Sequence, residues 1–238
     1  MAITDEAIIL AGGLGTRLRE VVSDVPKSLA RVAGRPFLAW LLDSLADRGL
    51  RRVVLATGYL GEQIETALGT AWRGMLLAYS HETQPLGTGG AVALAARAVS
   101  GDTFFVLNGD TRLELDYAAF GHAVDCAGAR LGVALAEVPD TARYGAVRLK
   151  ENCVDGFSEK GRAGAGLINA GVYWIRRSLL NDCPASGAFS FEHDVLMPAV
   201  SREPVIGYTR TRGFIDIGVP EDFQRAQTVL DREETRAK

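Results

Sequence analysis

A glycine-rich segment with two nearby cations is the first part of the sequence that could carry chemistry. Residues 10–18 read Leu-Ala-Gly-Gly-Leu-Gly-Thr-Arg-Leu and directly follow a short apolar run. Glycines let backbone N–H groups approach a phosphate because no Cβ blocks the way. Arg17 and Lys27 add positive charge suited to a triphosphate and its leaving pyrophosphate. This pattern predicts a phosphate-binding loop.

The glycine spacing distinguishes this loop from two common nucleotide-binding motifs. After Gly13 and Gly15, the third glycine of a Gly-x-Gly-x-x-Gly fingerprint would fall on Leu18, and no Gly-Lys-Ser/Thr follows as in a P-loop. A glycine-rich turn alone also fits an ordinary connection between a strand and a helix. The interpretation therefore depends on the cations and on motifs further along the chain.

A carboxylate follows one of the apolar runs, because Asp110 ends the segment Leu-Asn-Gly-Asp at 107–110. A carboxylate at a strand end projects into the crevice at the carboxyl edge of a parallel sheet. A lone aspartate there is also a common turn former, so its role depends on the other motifs. A second aspartate, Asp216, lies in Phe-Ile-Asp-Ile-Gly-Val-Pro at 214–220. Two carboxylates with nucleotide phosphates suit Mg²⁺.

The elements that must position these residues alternate along the first half of the chain. Apolar runs near residues 7–10, 52–56, 75–79 and 103–107 alternate with amphipathic stretches at 37–45, 62–68, 88–98 and 117–126. Buried strands separated by helices predict βαβ units. Shorter strand-like runs at 131–138, 145–149, 154–158 and 168–175 precede helical patterns at 191–200 and 220–232. We predict an α/β fold with a Rossmann-like, mixed and mainly parallel sheet between helices.

No linker, repeat or low-complexity segment divides the chain, so residues 1–238 are predicted to form a single domain. Within it, we expect residues up to about 130 to form a nucleotide-binding half and residues from about 131 to 238 to form a half that binds the acceptor, which the resemblance described below makes a sugar phosphate.

Composition excludes several classes of protein. With 47% hydrophobic and 23% charged residues the chain is an ordinary globular one, and its net charge of −3 gives no basic field for a nucleic acid. Its 3 cysteines form no CxxC pair. No signal segment or apolar run of membrane-spanning length, about 20 residues, is visible. We expect a cytoplasmic protein without nucleic-acid or membrane partners.

Together these motifs resemble the sugar-1-phosphate nucleotidyltransferases. Residues 12–18 followed by Pro26-Lys27 are similar to the activation loop of that family, and Pro-Leu-Gly-Thr-Gly-Gly-Ala at 85–91 is similar to its nucleobase and ribose loop. The resemblance implies a fold similar to the GT-A glycosyltransferases. It also implies condensation of a sugar 1-phosphate with a nucleoside triphosphate, with release of pyrophosphate.

The resemblance assigns roles to residues at the nucleotide end. It implies that Arg17, Lys27, Asp110 and Lys160 are catalytic and that Asp110 and Asp216 hold Mg²⁺. The implied nucleotide contacts are Leu10, Ala11, Gly12, Gly13, Gly15, Thr16, Glu82, Gln84, Gly87, Thr88, Asn108 and Gly109. Which of Glu82 and Gln84 reads the base stays open.

At the acceptor end the similar segments are Arg-Tyr-Gly at 143–145, Phe-Ser-Glu-Lys at 157–160 and Asn-Ala-Gly at 169–171. The implied substrate contacts are Tyr144, Gly145, Glu159, Lys160 and Asn169. The family often has a proline after this lysine, whereas here a glycine-rich stretch begins at Gly161. That departure favours a mobile lid.

Within the family, residues 22–27, 57–59, 166–173 and 189–194 resemble the bacterial D-glycero-α-D-manno-heptose 1-phosphate guanylyltransferases. The resemblance implies GTP and a heptose 1-phosphate as substrates, and a product used in surface polysaccharide synthesis. Another sugar 1-phosphate with another nucleotide is the first alternative. A non-catalytic nucleotide-sugar sensor is the second. A nucleotide-sugar-dependent glycosyltransferase is the third, although Asp110 lacks the usual Asp-x-Asp partner. Relatives commonly self-associate, which leaves a homo-oligomer open.

Overall fold

A computed structural model describes residues 4–13, 25–161, 163–184 and 187–237. Its strands are β1 (Glu6–Leu10), β2 (Arg31–Val32), β3 (Arg35–Pro36), β4 (Arg52–Thr57), β5 (Ala71–Trp72), β6 (Met75–His81), β7 (Thr103–Asn108), β8 (Thr111–Leu115), β9 (Leu131–Val138), β10 (Val147–Lys150), β11 (Cys153–Phe157), β12 (Gly166–Arg176), β13 (Val205–Tyr208) and β14 (Thr211–Asp216). Its helices are α1 (Phe37–Asp47), α2 (Gly61–Leu68), α3 (Gly87–Ala95), α4 (Tyr117–Cys126), α5 (Met197–Val200) and α6 (Pro220–Ala237).

One ten-stranded sheet, in the order β10-β11-β13-β9-β12-β7-β1-β4-β6-β5, organises the molecule. β1 pairs in parallel with β4 on one side and β7 on the other, and β4 pairs in parallel with β6. Parallel neighbours need crossover connections, which α1, α2 and α3 help to supply. The carboxyl ends of β1 and β7 therefore meet at one edge of the sheet.

β12 continues the sheet into the later part of the chain. It runs antiparallel to β7 on one side and to β9 on the other. Its register with β9 shifts between Asn169 and Val172, so the strand is bulged where the predicted sugar-binding asparagine lies. A bulge re-aims the neighbouring side chains, which suits a strand that borders a site.

Helices cover both faces of the sheet, so its central strands are buried on both sides. Side chains alternate between faces along a strand. Accordingly, Ile9 belongs to a core with α1, α4 and α6, whereas Ile8 belongs to a second core with α3 and α5. The mixed sheet between helices that the sequence predicted is confirmed.

Two local features differ from the prediction. Residues 211–216, which were assigned to no strand, form β14 and pair antiparallel with β8 in a separate two-stranded ribbon. The helical pattern at 191–200 folds as a π-helical turn, Phe191–Leu196, that runs into the short α5. π-Helical turns are rare and occur frequently at functional sites.

No helix among the described residues is both long enough and apolar enough to span a bilayer. Cys126, Cys153 and Cys183 are free thiols.

Candidate active site

A cleft of about 370 Å³ opens at the sheet edge where β1 and β7 end. Its lining brings together eight of the predicted site residues: Gly13, Lys27, Asn108, Asp110, Tyr144, Lys160, Asn169 and Asp216. These residues come from both the early and the late parts of the chain, and the sheet edge is their common location. The cleft is therefore the candidate active site.

The β8–β14 ribbon brings the two predicted metal ligands together. Asp110 immediately precedes β8, and Asp216 ends β14 opposite Thr111. The Ile217 backbone N–H also donates to the Asp110 carbonyl oxygen over 2.9 Å. Because the strands are antiparallel, the start of one and the end of the other coincide. Both carboxylates consequently lie at the cleft.

Lys27 forms an ion pair with the carboxylate of Asp110. Its Nζ lies 2.6 Å from Asp110 Oδ2, and the lysine side chain is only 16% exposed. The 3₁₀ turn Lys27–Leu29, which follows Pro26, presents this amine to the cleft. Charge-assisted hydrogen bonds of this length are strong. The predicted catalytic lysine and the predicted metal ligand therefore form one ion pair.

Asp216 is more buried than Asp110, and its carboxylate accepts hydrogen bonds from Gly218 and Arg143. Its side chain is 14% exposed, against 36% for Asp110. The Gly218 N–H donates to Oδ1 over 2.6 Å, and an Arg143 guanidinium nitrogen donates to Oδ2 over 3.0 Å. Burial and, next, the charge of Asp110 raise the pKa of Asp216, against the effects of Gly218, Lys27 and Arg143.

These two carboxylates fit a Mg²⁺ ion shared with a nucleotide. Asp110 raises the pKa of Asp216 by electrostatic repulsion, which a cation bound to both would relieve. Mg²⁺ usually takes one or two carboxylates, with water and phosphate oxygens completing its coordination. No cluster of three or more His, Cys, Asp or Glu ligands occurs in the described part of the chain.

The acceptor end of the cleft is lined by hydroxyl, amide and amine groups. Asn169 Nδ2 donates to the Tyr173 hydroxyl over 2.9 Å, and its Oδ1 accepts from the Gly171 N–H. Burial raises the pKa values of both Tyr144 and Tyr173, so both remain neutral phenols. Lys160 is the exposed cation on this side. Such groups suit a sugar and its phosphate.

Five other residues line the cleft without having been predicted as site residues, namely Thr111, Tyr173, Glu192, Phe214 and Gly218. Glu192 is the only acidic residue of this set, and it is partly buried in the π-helical turn. Among the described residues no ion-pair partner of its carboxylate is found. The segment 189–194 was noted for its resemblance, but nothing in its pattern indicated which side chain enters the cleft.

Ten predicted residues are not part of the cleft lining, although some adjoin it: Leu10, Ala11, Gly12, Glu82, Gln84, Gly87, Thr88, Gly109, Gly145 and Glu159. Glu159 is exposed. Gly12 packs so closely that a Cβ would lie 2.7 Å from the Gly58 nitrogen. Residue 12 is therefore a glycine at least partly because the backbone there packs against the β4–α2 connection. Gly15, Thr16 and Arg17 lie outside the described residues.

The second predicted nucleotide loop, residues 85–91, is packed against the segment that leads to Glu192. Gly87 has a φ of +69°, and a Cβ there would lie 2.5 Å from the Phe189 carbonyl oxygen. Thr88 Oγ1 accepts from the Phe191 N–H over 2.9 Å. The glycine and the threonine of this motif therefore join the nucleotide loop to the acceptor end.

The Glu82 carboxylate also has a structural contact, because its Oε2 accepts from the Leu86 N–H over 3.0 Å. Gln84 is exposed. The choice between these two residues as the base reader remains a prediction.

Comparison with known proteins identifies the fold and the family. A family model described as nucleotidyl transferase matches residues 6–233. The chain belongs to the nucleotidyl transferase family. This nucleotidyl transferase is 39% identical over 225 residues to a D-glycero-α-D-manno-heptose 1-phosphate guanylyltransferase of Aneurinibacillus thermoaerophilus, covering 94% of the chain and 98% of the relative.

Two further similarities extend this comparison. A D-glycero-α-D-manno-heptose 1-phosphate guanylyltransferase of Campylobacter jejuni is 36% identical over 219 residues, covering 92% of the chain and 96% of that relative. The crystal structure of HddC from Yersinia pseudotuberculosis complexed with GMP-PN has a TM-score of 0.83 at 35% identity, covering 94% and 99% of the two chains. The predicted family and fold class are confirmed, and the chain is an enzyme of the nucleotidyltransferase class.

Proposed function

We propose that this nucleotidyl transferase condenses GTP with D-glycero-α-D-manno-heptose 1-phosphate to form GDP-heptose and pyrophosphate. The two heptose 1-phosphate guanylyltransferases above each align with more than nine-tenths of the chain, which supports this pair of substrates. A sugar-phosphate oxygen attacks the α-phosphorus, a new O–P bond forms, and the bond to the β-phosphate oxygen breaks. Pyrophosphate leaves with that oxygen.

This reaction needs no side-chain base. The second pKa of a phosphate monoester is near 6, so the acceptor is largely a dianion at neutral pH. Catalysis then consists of positioning and of neutralising negative charge. The cleft offers two described cations for this, Lys27 and Lys160. In the proposal Lys27 neutralises the triphosphate, Lys160 binds the acceptor phosphate, and Arg17 stabilises the departing pyrophosphate.

Asp110 and Asp216 would hold a Mg²⁺ ion between the cleft wall and the nucleotide phosphates. The ion would supply further neutralisation of phosphate charge. With nucleotide bound, Lys27 would be shared between Asp110 and a phosphate oxygen, since an ammonium has three donors. Asn169 and Tyr144 would orient the sugar at the opposite side of the cleft.

The observation that carries the proposal is the convergence of Lys27, Asp110 and Asp216 with the acceptor-side Lys160 in one cleft. A nucleotide-sugar sensor would not need a metal-binding carboxylate pair or a cation for pyrophosphate. A GT-A glycosyltransferase would not need the glycine-rich triphosphate loop. The proposal further places the activity in the cytoplasm, with the GDP-sugar used for surface polysaccharide, and leaves self-association to be measured.

Pyrophosphate release with Mg²⁺ tests this function directly. GTP, UTP, CTP, dTTP and ATP are crossed with heptose, mannose, glucose and N-acetylglucosamine 1-phosphates, and the Lys27→Ala variant serves as the negative control. We expect release with GTP and the heptose 1-phosphate at least about tenfold above any other pair. Release with another pair would keep the reaction and replace the substrates. No release with any pair, together with tight binding of a nucleotide sugar, would favour the sensor.

A further inference from the structure

Arg143 lies behind the candidate active site rather than in it. It does not line the cleft but lines a neighbouring cavity of about 400 Å³, while Tyr144 and Phe214 line both. The aromatic rings of Tyr144 and Phe214 meet edge to face, with centroids 5.7 Å apart. Arg143 is therefore not part of the cleft lining, but it contacts two residues that are, Tyr144 and Asp216.

The Arg143 guanidinium bridges a predicted metal ligand and a predicted sugar-binding side chain. One of its nitrogens donates to Asp216 Oδ2 over 3.0 Å, and the same nitrogen also contacts the Tyr144 hydroxyl. The guanidinium carbon lies 4.5 Å from the centre of the Tyr144 ring. A planar guanidinium can pair with a carboxylate and stack on an aromatic ring at once, which a lysine cannot reproduce. One side chain thus contacts both ends of the cleft.

Asp222 anchors this arginine from the other side. Its carboxylate forms an ion pair with Arg143 and is 14% exposed. Asp222 lies in the first turn of α6, directly after the segment that carries Asp216. If a bound cation replaces Arg143 as the partner of the Asp216 carboxylate, Arg143 still has Asp222 as its counter-ion. The arrangement consequently tolerates occupation of the site without leaving a buried charge unpaired.

We propose that Arg143, anchored by Asp222, is a positioning residue that fixes the Asp216 carboxylate and the Tyr144 ring relative to each other. It sets the metal-binding carboxylate and the sugar-binding wall in one geometry. This inference rests on the proposed function, because it takes Asp216 as a metal ligand and Tyr144 as a sugar contact. Outer partners of metal ligands commonly contribute about 10–100-fold to metal affinity or activity.

The test combines a metal-binding measurement made without turnover with steady-state kinetics. Mn²⁺ affinity is measured by electron paramagnetic resonance in the presence of a non-hydrolysable GTP analogue, and KM and kcat are measured for the sugar 1-phosphate. We expect Arg143→Ala to weaken Mn²⁺ binding by about tenfold or more and to raise the KM for the sugar 1-phosphate. Added guanidinium should restore part of both. Arg143→Lys should be intermediate, since it keeps the charge but loses the planar fork.

Two further variants separate positioning from a purely structural role. Asp222→Asn should weaken Mn²⁺ binding in the same direction, because the arginine loses its anchor. Arg225→Ala is the matched control, since Arg225 also pairs with Asp222, at 3.1 Å, but is 55% exposed and contacts neither Asp216 nor Tyr144. It should leave Mn²⁺ binding unchanged. Thermal midpoints of all variants should stay close to that of the wild type.

An Arg143→Ala variant that folds and binds Mn²⁺ within about twofold of the wild type would overturn the proposal, as would an equal loss in Arg225→Ala. Failure of the proposed function is a separate result. In that case the wild type would release no pyrophosphate. The Mn²⁺ measurement would then be repeated with a UTP analogue, and it would still test the role of Arg143.

Discussion

The nucleotide end and the acceptor end of the cleft are built in different ways. At the nucleotide end, short contiguous motifs follow parallel strands, and glycines such as Gly12 are packed against backbone. At the acceptor end, side chains from β12, the π-helical turn and the β9–β10 connection converge from distant parts of the chain. The residues of the nucleotide end lie close together in short sequence motifs, whereas those of the acceptor end are brought together by antiparallel pairing between remote segments.

The ion pair of Lys27 and Asp110 is the closest charged contact of the nucleotide end that the structure describes in the cleft, so we expect the largest effect there. Lys27→Ala should lower kcat/KM by about 10²–10³-fold, because it removes a preorganised cation from the developing charge and breaks this ion pair. Steady-state pyrophosphate release measures this. Lys150→Ala, at an exposed lysine of β10, is the control. A loss under tenfold for Lys27→Ala would assign the main neutralising role to another group.

Glu192 tests the acceptor end. Glu192→Gln keeps the size of the side chain but removes its charge, and hydrogen bonds to a charged group contribute about 1.5–3 kcal/mol. We expect the KM for the sugar 1-phosphate to rise by about 10–100-fold while the KM for GTP stays unchanged. Glu159→Gln is the competing variant, because Glu159 is exposed outside the cleft lining. A larger effect at Glu159 would show that the resemblance, rather than the cleft lining, identifies the sugar-binding carboxylate.

The contrast between the two ends also explains what the sequence could predict. Asp110 and Lys27 were identified because each lies in a contiguous motif beside a predicted strand. Asp216 was identified from its segment, but the β8–β14 ribbon that brings it to Asp110 was not predicted, since strand pairing between remote segments leaves no local pattern. Glu192 was missed because its position depends on how the π-helical turn packs against residues 85–91, which leaves no local pattern either. Arg143 was noted only as part of a tripeptide, and its bridge to Asp216 depends on tertiary structure.

The two ends also meet physically where residues 85–91 pack against Phe189. Gly87→Ala combines a left-handed backbone with a Cβ 2.5 Å from a carbonyl oxygen, whereas Gly128 has nearly the same φ, +66°, with no atom within 4 Å of a Cβ. Gly128→Ala should lower the free energy of unfolding by about 1 kcal/mol through strain alone. Gly87→Ala should lose about 1–3 kcal/mol more through overpacking.

Urea denaturation of both glycine variants measures this difference. Because the Phe189 segment leads to Glu192, Gly87→Ala should also raise the KM for the sugar 1-phosphate, and Gly128→Ala should not. Equal destabilisation of the two variants would mean that the loop and the Phe189 segment are not coupled by this contact.

The smallest expected effect is on the stability of the ligand-free protein, which the buried Asp216 carboxylate lowers when it is ionised. Its pKa is raised by burial and by Asp110, so the folded state binds the proton more tightly than the unfolded chain. Stability is therefore lost as the pH rises from the ordinary aspartate pKa through the raised folded pKa, and the loss is complete above it. Asp216→Asn removes this cost, and relief of such strain commonly contributes about 0.5–2 kcal/mol.

Asp216→Asn should accordingly raise the thermal midpoint at pH 7 without Mg²⁺, and the advantage should disappear at pH values below the ordinary aspartate pKa, where the carboxyl is protonated in both states. Calorimetry across that pH range measures it, with Asp102→Asn, at an exposed position, as the control. The same variant should lose Mg²⁺-dependent activity. A midpoint that falls at pH 7 would mean that the bonds from Arg143 and Gly218 outweigh burial and the repulsion from Asp110, so that this carboxylate stabilises the fold as well as serving the site.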